Sequence, residues 1–255
     1  MVVTLPGTLL QLPPMHFTLP GALLNEQIVL RWLHITAGTI WIGLLYFFNL
    51  VGTPTMQQLE APVRGKVFPP LMRRAMAWFR WTAVITVLAG LRYYWTILAV
   101  DAYDAGDRRL AWHWLGEWLV VWVIAYALIY PLLQPYKGFL NNPWVRATGI
   151  AVIAILASLV SIVVNASVSS SNSHLAISVG GGIGLLLLLN VWVVIWPAQK
   201  KLIAWTRASA EQGTPMPAEA PALARRAFLA SRAGFWMSFP MLFFMAAASH
   251  YPFLY

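Results

Sequence analysis

Six stretches of the chain are apolar almost without interruption, at roughly 27–51, 76–99, 110–133, 145–166, 175–197 and 225–248. Each reaches the length of about 20 residues that a helix needs to cross a hydrocarbon layer. None alternates with the two-residue period of a half-buried strand. Charges, prolines or small polar residues bound them, among them Pro54, Asp101, Pro135, Pro143 and the serine-rich run 167–173. The pattern predicts an all-α integral membrane protein, a bundle of about six transmembrane helices in one domain over 27–248. Residues 1–26 contain no Lys or Arg and are broken by Pro6, Pro13, Pro14 and Pro20. They lack the basic start and continuous apolar core of a secretory signal, and read as a surface strap. Residues 249–255 form a short tail, and 198–224, with its Pro/Ala/Glu run, reads as a linker.

Composition removes the soluble alternative. Of 255 residues, 60% are apolar and 10% charged, against about a quarter charged in soluble domains. With no Cys, disulfides, iron–sulfur clusters and covalently attached c-type haem are excluded. The net charge of +9 would suggest nucleic acid only if it were spread over one soluble face. Instead Arg64, Lys66, Arg73, Arg74, Lys137, Arg146, Lys200, Lys201, Arg207, Arg225 and Arg226 gather in the connections after spans one, three and five. Only Arg108 and Arg109 lie in the opposite connections, offset by Asp101, Asp104 and Asp107. That bias puts the basic loops in the cytoplasm and both termini on the periplasmic side, with the lipid bilayer as the main surroundings and no nucleic-acid partner.

With this topology all five histidines fall toward the outer leaflet: His16 in the strap, His34 inside span one, His113 opening span three, His174 preceding span five and His250 where span six emerges. Imidazole is the common ligand for metals and for haem iron. One or two b-type haems held between helices, with His34, His113, His174 and His250 as iron candidates in undetermined pairing, account for such a set. Gly38, one turn after His34, and the glycines 180–184 below His174 would leave room for a porphyrin. Arg92 would pair with a propionate. Each has a plainer reading. His16 is a surface residue, and His113, His174 and His250 fit an interface belt beside Trp112 and Trp114. The spacing of Gly180 and Gly184 suits helix packing, Arg80 and Arg92 can snorkel, and Asn49 and Asn190 can bond helix to helix. His34 stands apart, because an ionisable group inside an apolar span is costly and usually functional. Glu117, one turn past His113, is placed to share a proton with it.

Several segments together carry a further signal: His34-Ile-Thr-Ala-Gly-Thr-Ile-Trp-Ile-Gly43 with Tyr46-Phe-Phe-Asn49, Arg74-Ala-Met-Ala-Trp-Phe-Arg-Trp81, Asn190-Val-Trp-Val-Val-Ile-Trp-Pro-Ala-Gln-Lys200, and Ser249-His-Tyr-Pro252. In combination they resemble the membrane domain of the bacterial membrane-bound urate oxidase (urate hydroxylase) family over about residues 28–252. The resemblance implies a redox domain of the bacterial inner membrane connected to the respiratory chain. Family members usually continue into a cytochrome c. No CxxCH follows here, so electrons are expected to pass to a separate periplasmic cytochrome c or another redox subunit. Three functions follow as expectations: a haem b electron-transfer subunit; a urate or purine oxidase domain, with Arg92, Arg108 and Arg109 as outer-side anion partners; and a cofactor-free anchor of a larger complex.

Overall fold

The computed structural model describes residues 20–134 and 138–254, with the backbone of one antiparallel two-residue strand pair, Thr4–Leu5 against Thr8–Leu9. Most of the strap expected over 1–26, His16 included, and Lys137 lie outside the described residues. The rest is helical: α1 (Ala22–Phe47), a π-helical turn (Phe48–Gly52), α2 (Thr53–Gln58), α3 (Ala61–Asp104), α4 (Leu110–Leu132), a 3-10 turn (Gly138–Asn141), α5 (Pro143–Asn165), α6 (Asn172–Leu189), a second π segment (Asn190–Ile195), α7 (Trp196–Gln212) and α8 (Ala220–His250). Joined across the π turns, these make six helical rods long and apolar enough to cross a membrane. The protein is a multi-pass membrane protein.

Two rods outrun the apolar stretches that announce them. α3 has 44 residues, about 66 Å at 1.5 Å per residue, twice the ~30 Å hydrocarbon thickness. Its amphipathic start, 61–75, therefore projects as a helix where hydropathy marks only a connection. Likewise the linker read over 198–224 is helical to Gln212. It stops at Gly213, whose φ of 67° ends the helix in the left-handed conformation that glycine takes at least cost.

Alternating rods give the bundle two ends, and side-chain ties identify each. At the basic end, Arg225 donates to Asn141 Oδ1 at 3.0 Å and Arg226 to the Tyr130 hydroxyl at 2.6 Å. There, too, a Cβ on Gly65 would stand 3.2 Å from the Ala210 Cβ. At the opposite end Asn172 Nδ2 donates to the carbonyls of Ala247 and Ala248, and its Oδ1 accepts from the Phe253 and Leu254 amides. Large apolar side chains such as Leu24, Ile35, Trp78, Leu88, Val120 and Val163 are exposed around the sides, the surface a lipid-facing bundle presents.

The core is organised around α6. Its apolar window is 61% buried, against 17–33% for the other five rods. Trp118 and Trp122 of α4 both donate their indole N–H to the Ser178 carbonyl of α6, at 2.8 and 3.0 Å. Gly182, one turn on, makes this possible, because a Cβ there would sit inside the Trp122 indole. On the other side Gly180 faces the Met241 carbonyl and Phe244 of α8, at 3.2 and 3.1 Å from its notional Cβ. Close approach through small residues is how membrane helices associate where no hydrophobic effect drives them together. The glycines of 180–184 thus receive neighbouring side chains and backbone. Gly182→Ala should lower stability by at least about 3 kcal/mol by overpacking. Gly181→Ala meets only contacts of 3.6 Å and longer and should stay within about 0.5 kcal/mol. Thermal unfolding in detergent separates the two.

Candidate functional site

α3 and α6 meet at the end opposite the basic loops around a buried polar array. Ser171 caps α6 with its side chain, and Asp101 near the end of α3 lies beside that N-terminus. Asp101 Oδ2 accepts from the Ser171 amide at 2.8 Å, the Ser171 hydroxyl at 3.0 Å and His174 Nδ1 at 3.0 Å. A carboxylate is favoured there by the helix dipole and the unpaired amides of the first turn. His174 is fully buried, and its Nε2 lies 3.2 Å from Asn165 Oδ1. The Asn165 amide is oriented by its own bond, Nδ2 to the Ser161 carbonyl at 2.9 Å. Both nitrogens of His174 therefore face oxygen acceptors. Trp114 and Tyr94 enclose the ring, with centroids at 4.8 and 5.9 Å.

This geometry bears on the haem expectation. With an oxygen at hydrogen-bond distance from each nitrogen, His174 as placed turns neither nitrogen toward an open site. Nor is it an interface residue, being wholly enclosed. The array joins α3, the end of α5 and α6. The sequence marked Asp101 as a span boundary and a charge offset, and Asn165 drew no notice. A serine-rich turn before a histidine, with an Asp ending the preceding long helix, was the available signal.

His34 is arranged differently. Its Nδ1 lies 2.8 Å from the Thr86 carbonyl of α3. A carbonyl only accepts, so Nδ1 carries the proton and Nε2 keeps its lone pair. The ring fits because position 90 is glycine. A Cβ there would come within 2.7 Å of Nδ1. Among the described residues no side chain or backbone group pairs with Nε2. A histidine whose second nitrogen donates to a backbone carbonyl is oriented as metal-bound histidines are. Gly38 faces Thr86, with 3.5 Å from its notional Cβ to Thr86 Cγ2, so its missing side chain serves the contact of α1 with α3. Arg92 is engaged by Glu26 at 2.7 Å, and Arg31 lies over the Tyr93 ring at 5.0 Å.

The remaining candidates do not join these. His113 and Glu117 are both exposed on α4, with no hydrogen bond between them. His250 is exposed at the end of α8, bonded to the Ala246 carbonyl of its own helix. Among the described residues no group of three His, Asp or Glu side chains is placed to share a metal ion.

A second polar cluster lies toward the basic end. The Arg80 guanidinium does not snorkel freely. It stacks over Trp196 at 3.9 Å, with Trp81 and Trp192 at 5.6 and 5.8 Å. Arg80 Nε, Trp192 Nε1 and Gln199 Oε1 are buried without hydrogen-bond partners among the described residues, as are Trp41 Nε1 and both amide atoms of Asn190. Asn49, by contrast, bonds helix to helix as expected, to the Ser231 hydroxyl at 2.9 Å. An arginine inside a span with tryptophans on both sides of the partner segment was the signal that could have marked this cluster.

The urate oxidase N-terminal family model matches residues 22–255. The chain belongs to this family. No curated protein sequence and no solved structure matches it. In this urate oxidase N-terminal domain, the segments that carried the resemblance occupy distinct places. His34 and Trp41 lie on α1, the 74–81 and 190–200 segments meet at Arg80 and Trp196, and the final segment follows α8. The Asp101 array lies outside those segments and reads as a structural tie. Asp101→Ala should therefore cost at least about 3 kcal/mol, because it leaves the buried Ser171 and His174 donors without their acceptor. Asn165→Ala should cost less, about 1–3 kcal/mol for an unsatisfied buried donor, by thermal unfolding.

Proposed function

We propose that this chain is the membrane-embedded part of a urate-oxidising system, and that it hands the electrons to a redox partner such as a cytochrome c. The family match across residues 22–255 carries this reading. On the proposed orientation the basic end faces the cytoplasm of the bacterial inner membrane, following the distribution of Lys and Arg. Oxidation of a purine such as urate removes electrons and protons together, so the domain needs an electron acceptor and groups that can hold protons.

The electron-carrying role is supported by His34. A b-type haem, when bound, supplies one-electron acceptance and donation. Of the four histidines considered, His34 is the one that suits an iron ligand inside a span: it keeps Nε2 open while Thr86 fixes the other nitrogen. His174 does not suit this role as placed, and Arg92 is engaged with Glu26. The ligand set proposed is accordingly narrower than a converging group of four imidazoles.

Membranes containing the full chain should reduce a dye or ferricytochrome c in a urate-dependent manner. The reduced-minus-oxidised spectrum of the purified protein should show b-type bands. His34→Ala should remove those bands and lower urate-dependent reduction at least about tenfold, while costing only about 1 kcal/mol in stability from the lost bond to Thr86. A featureless spectrum without urate-dependent reduction in the wild type would overturn the reading in favour of a cofactor-free anchor.

A further inference from the structure

We infer that the cleft between the projecting parts of α3 and α7 binds a planar heterocyclic anion, and that it is where urate is recognised. The inference rests on the urate-oxidising reading above. The cleft has a volume of about 970 Å³. It is closed at the far end, where Gly65 lets the first turns of α3 touch Ala210 of α7. At its inner end stands Trp196, with Arg80 stacked on the indole at 3.9 Å.

Four cations line it: Lys66, Arg73, Lys200 and Arg207. One carboxylate, Glu211, faces them and is bound by Arg207 at 2.9 Å. Among the described residues Lys66, Arg73 and Lys200 have no carboxylate partner, leaving three uncompensated charges around one concavity. Such a cleft concentrates anions. At the inner end the Trp196 indole lines the wall and offers a surface on which a flat ring can stack. It is backed by the Arg80 guanidinium at 3.9 Å, while Arg80 Nε and Trp192 Nε1 are buried behind it and do not line the cleft.

The opposite end is poorer in free cations. Arg92 is bound to Glu26, and Arg108 lies over Tyr103 at 5.5 Å in a loop with three aspartates nearby. The position also connects the cleft to His34. Arg80 and Thr86 are six residues apart on α3, about 9 Å along the helix axis. A ring held at the Arg80–Trp196 end would thus lie within two helical turns of the level at which His34 contacts α3.

Equilibrium dialysis of radiolabelled urate against the purified full chain at low ionic strength tests the site, alongside steady-state urate-dependent dye reduction. Arg73 and Lys200 are exposed and unpaired, so Arg73→Gln and Lys200→Gln should fold as the wild type does. Each should weaken urate binding about tenfold or more, the scale of a lost charge-assisted contact, and raise KM with kcat unchanged. Urate binding that ignores both variants, or that falls instead in Arg108→Gln, would overturn the cleft and leave the urate-oxidising function standing. No urate turnover in the wild type, together with orotate binding lost in the same variants, would keep the cleft as a planar-anion site and overturn the urate reading. An acidic phospholipid retained by the wild type and released by the variants, with no heterocycle bound, would overturn the cleft's assignment.

Discussion

One backbone carbonyl governs the packing of this bundle. Ser178 lies in α6, the most enclosed rod, and its oxygen receives the indole N–H groups of Trp118 and Trp122 while the Ser161 hydroxyl approaches at 3.4 Å. Inside a membrane an indole N–H left without an acceptor has no water to turn to. The two tryptophans are therefore committed to that oxygen, and they fix α4 against α6 in rotation and height. The absence of a side chain at Gly182 is the condition for it. Once α4 and α6 are set, α3 closes over them through Asp101 and His174, and α8 seats on the small face at Gly180.

The six spans were legible because lipid imposes a composition that hydropathy reads directly. The projecting helices were not, since 61–75 and 198–212 are polar enough to resemble connections, and their helicity comes from continuing a rod already nucleated in the apolar layer. Histidine was informative in kind but not in role. His34 and His174 look alike in the sequence, each near the start of a span. What distinguishes them is which carbonyl, carboxylate or amide the fold brings to each nitrogen, and Thr86, Asp101 and Asn165 lie 52, 73 and 9 residues away. The glycines show a similar limit. Room for a porphyrin and room for a tryptophan leave the same mark in a sequence, and at Gly182 it is Trp122 that takes the space. Arg80 was read by its position near a span end, whereas its surroundings are set by α7.

The two ends of the bundle treat charge differently. Around Asp101 both ring nitrogens of His174 and the carboxylate Oδ2 have partners, and the result is a rigid tie. Along α3 and α7 the cations are set apart, and the inner polar atoms around Arg80 stand unsatisfied within the protein. A buried donor without an acceptor costs about 1–3 kcal/mol, and several such atoms at one place make a region whose polar groups have work left for something else to complete.

The π-helical segment Asn190–Ile195 adds a geometrical consequence. A π turn accommodates one more residue than the α-helix around it, so everything after it is rotated by about 100° relative to an uninterrupted helix. Trp196, Lys200, Ile203 and Arg207, spaced i, i+4, i+7 and i+11, share one face of α7, and the rotated register decides where that face points. The basic wall is thus aimed by a single extra residue some distance upstream. Shortening the segment by one would turn those side chains away from α3 without altering any of them, so lineages that lose or gain the bulge would exchange one lining for another.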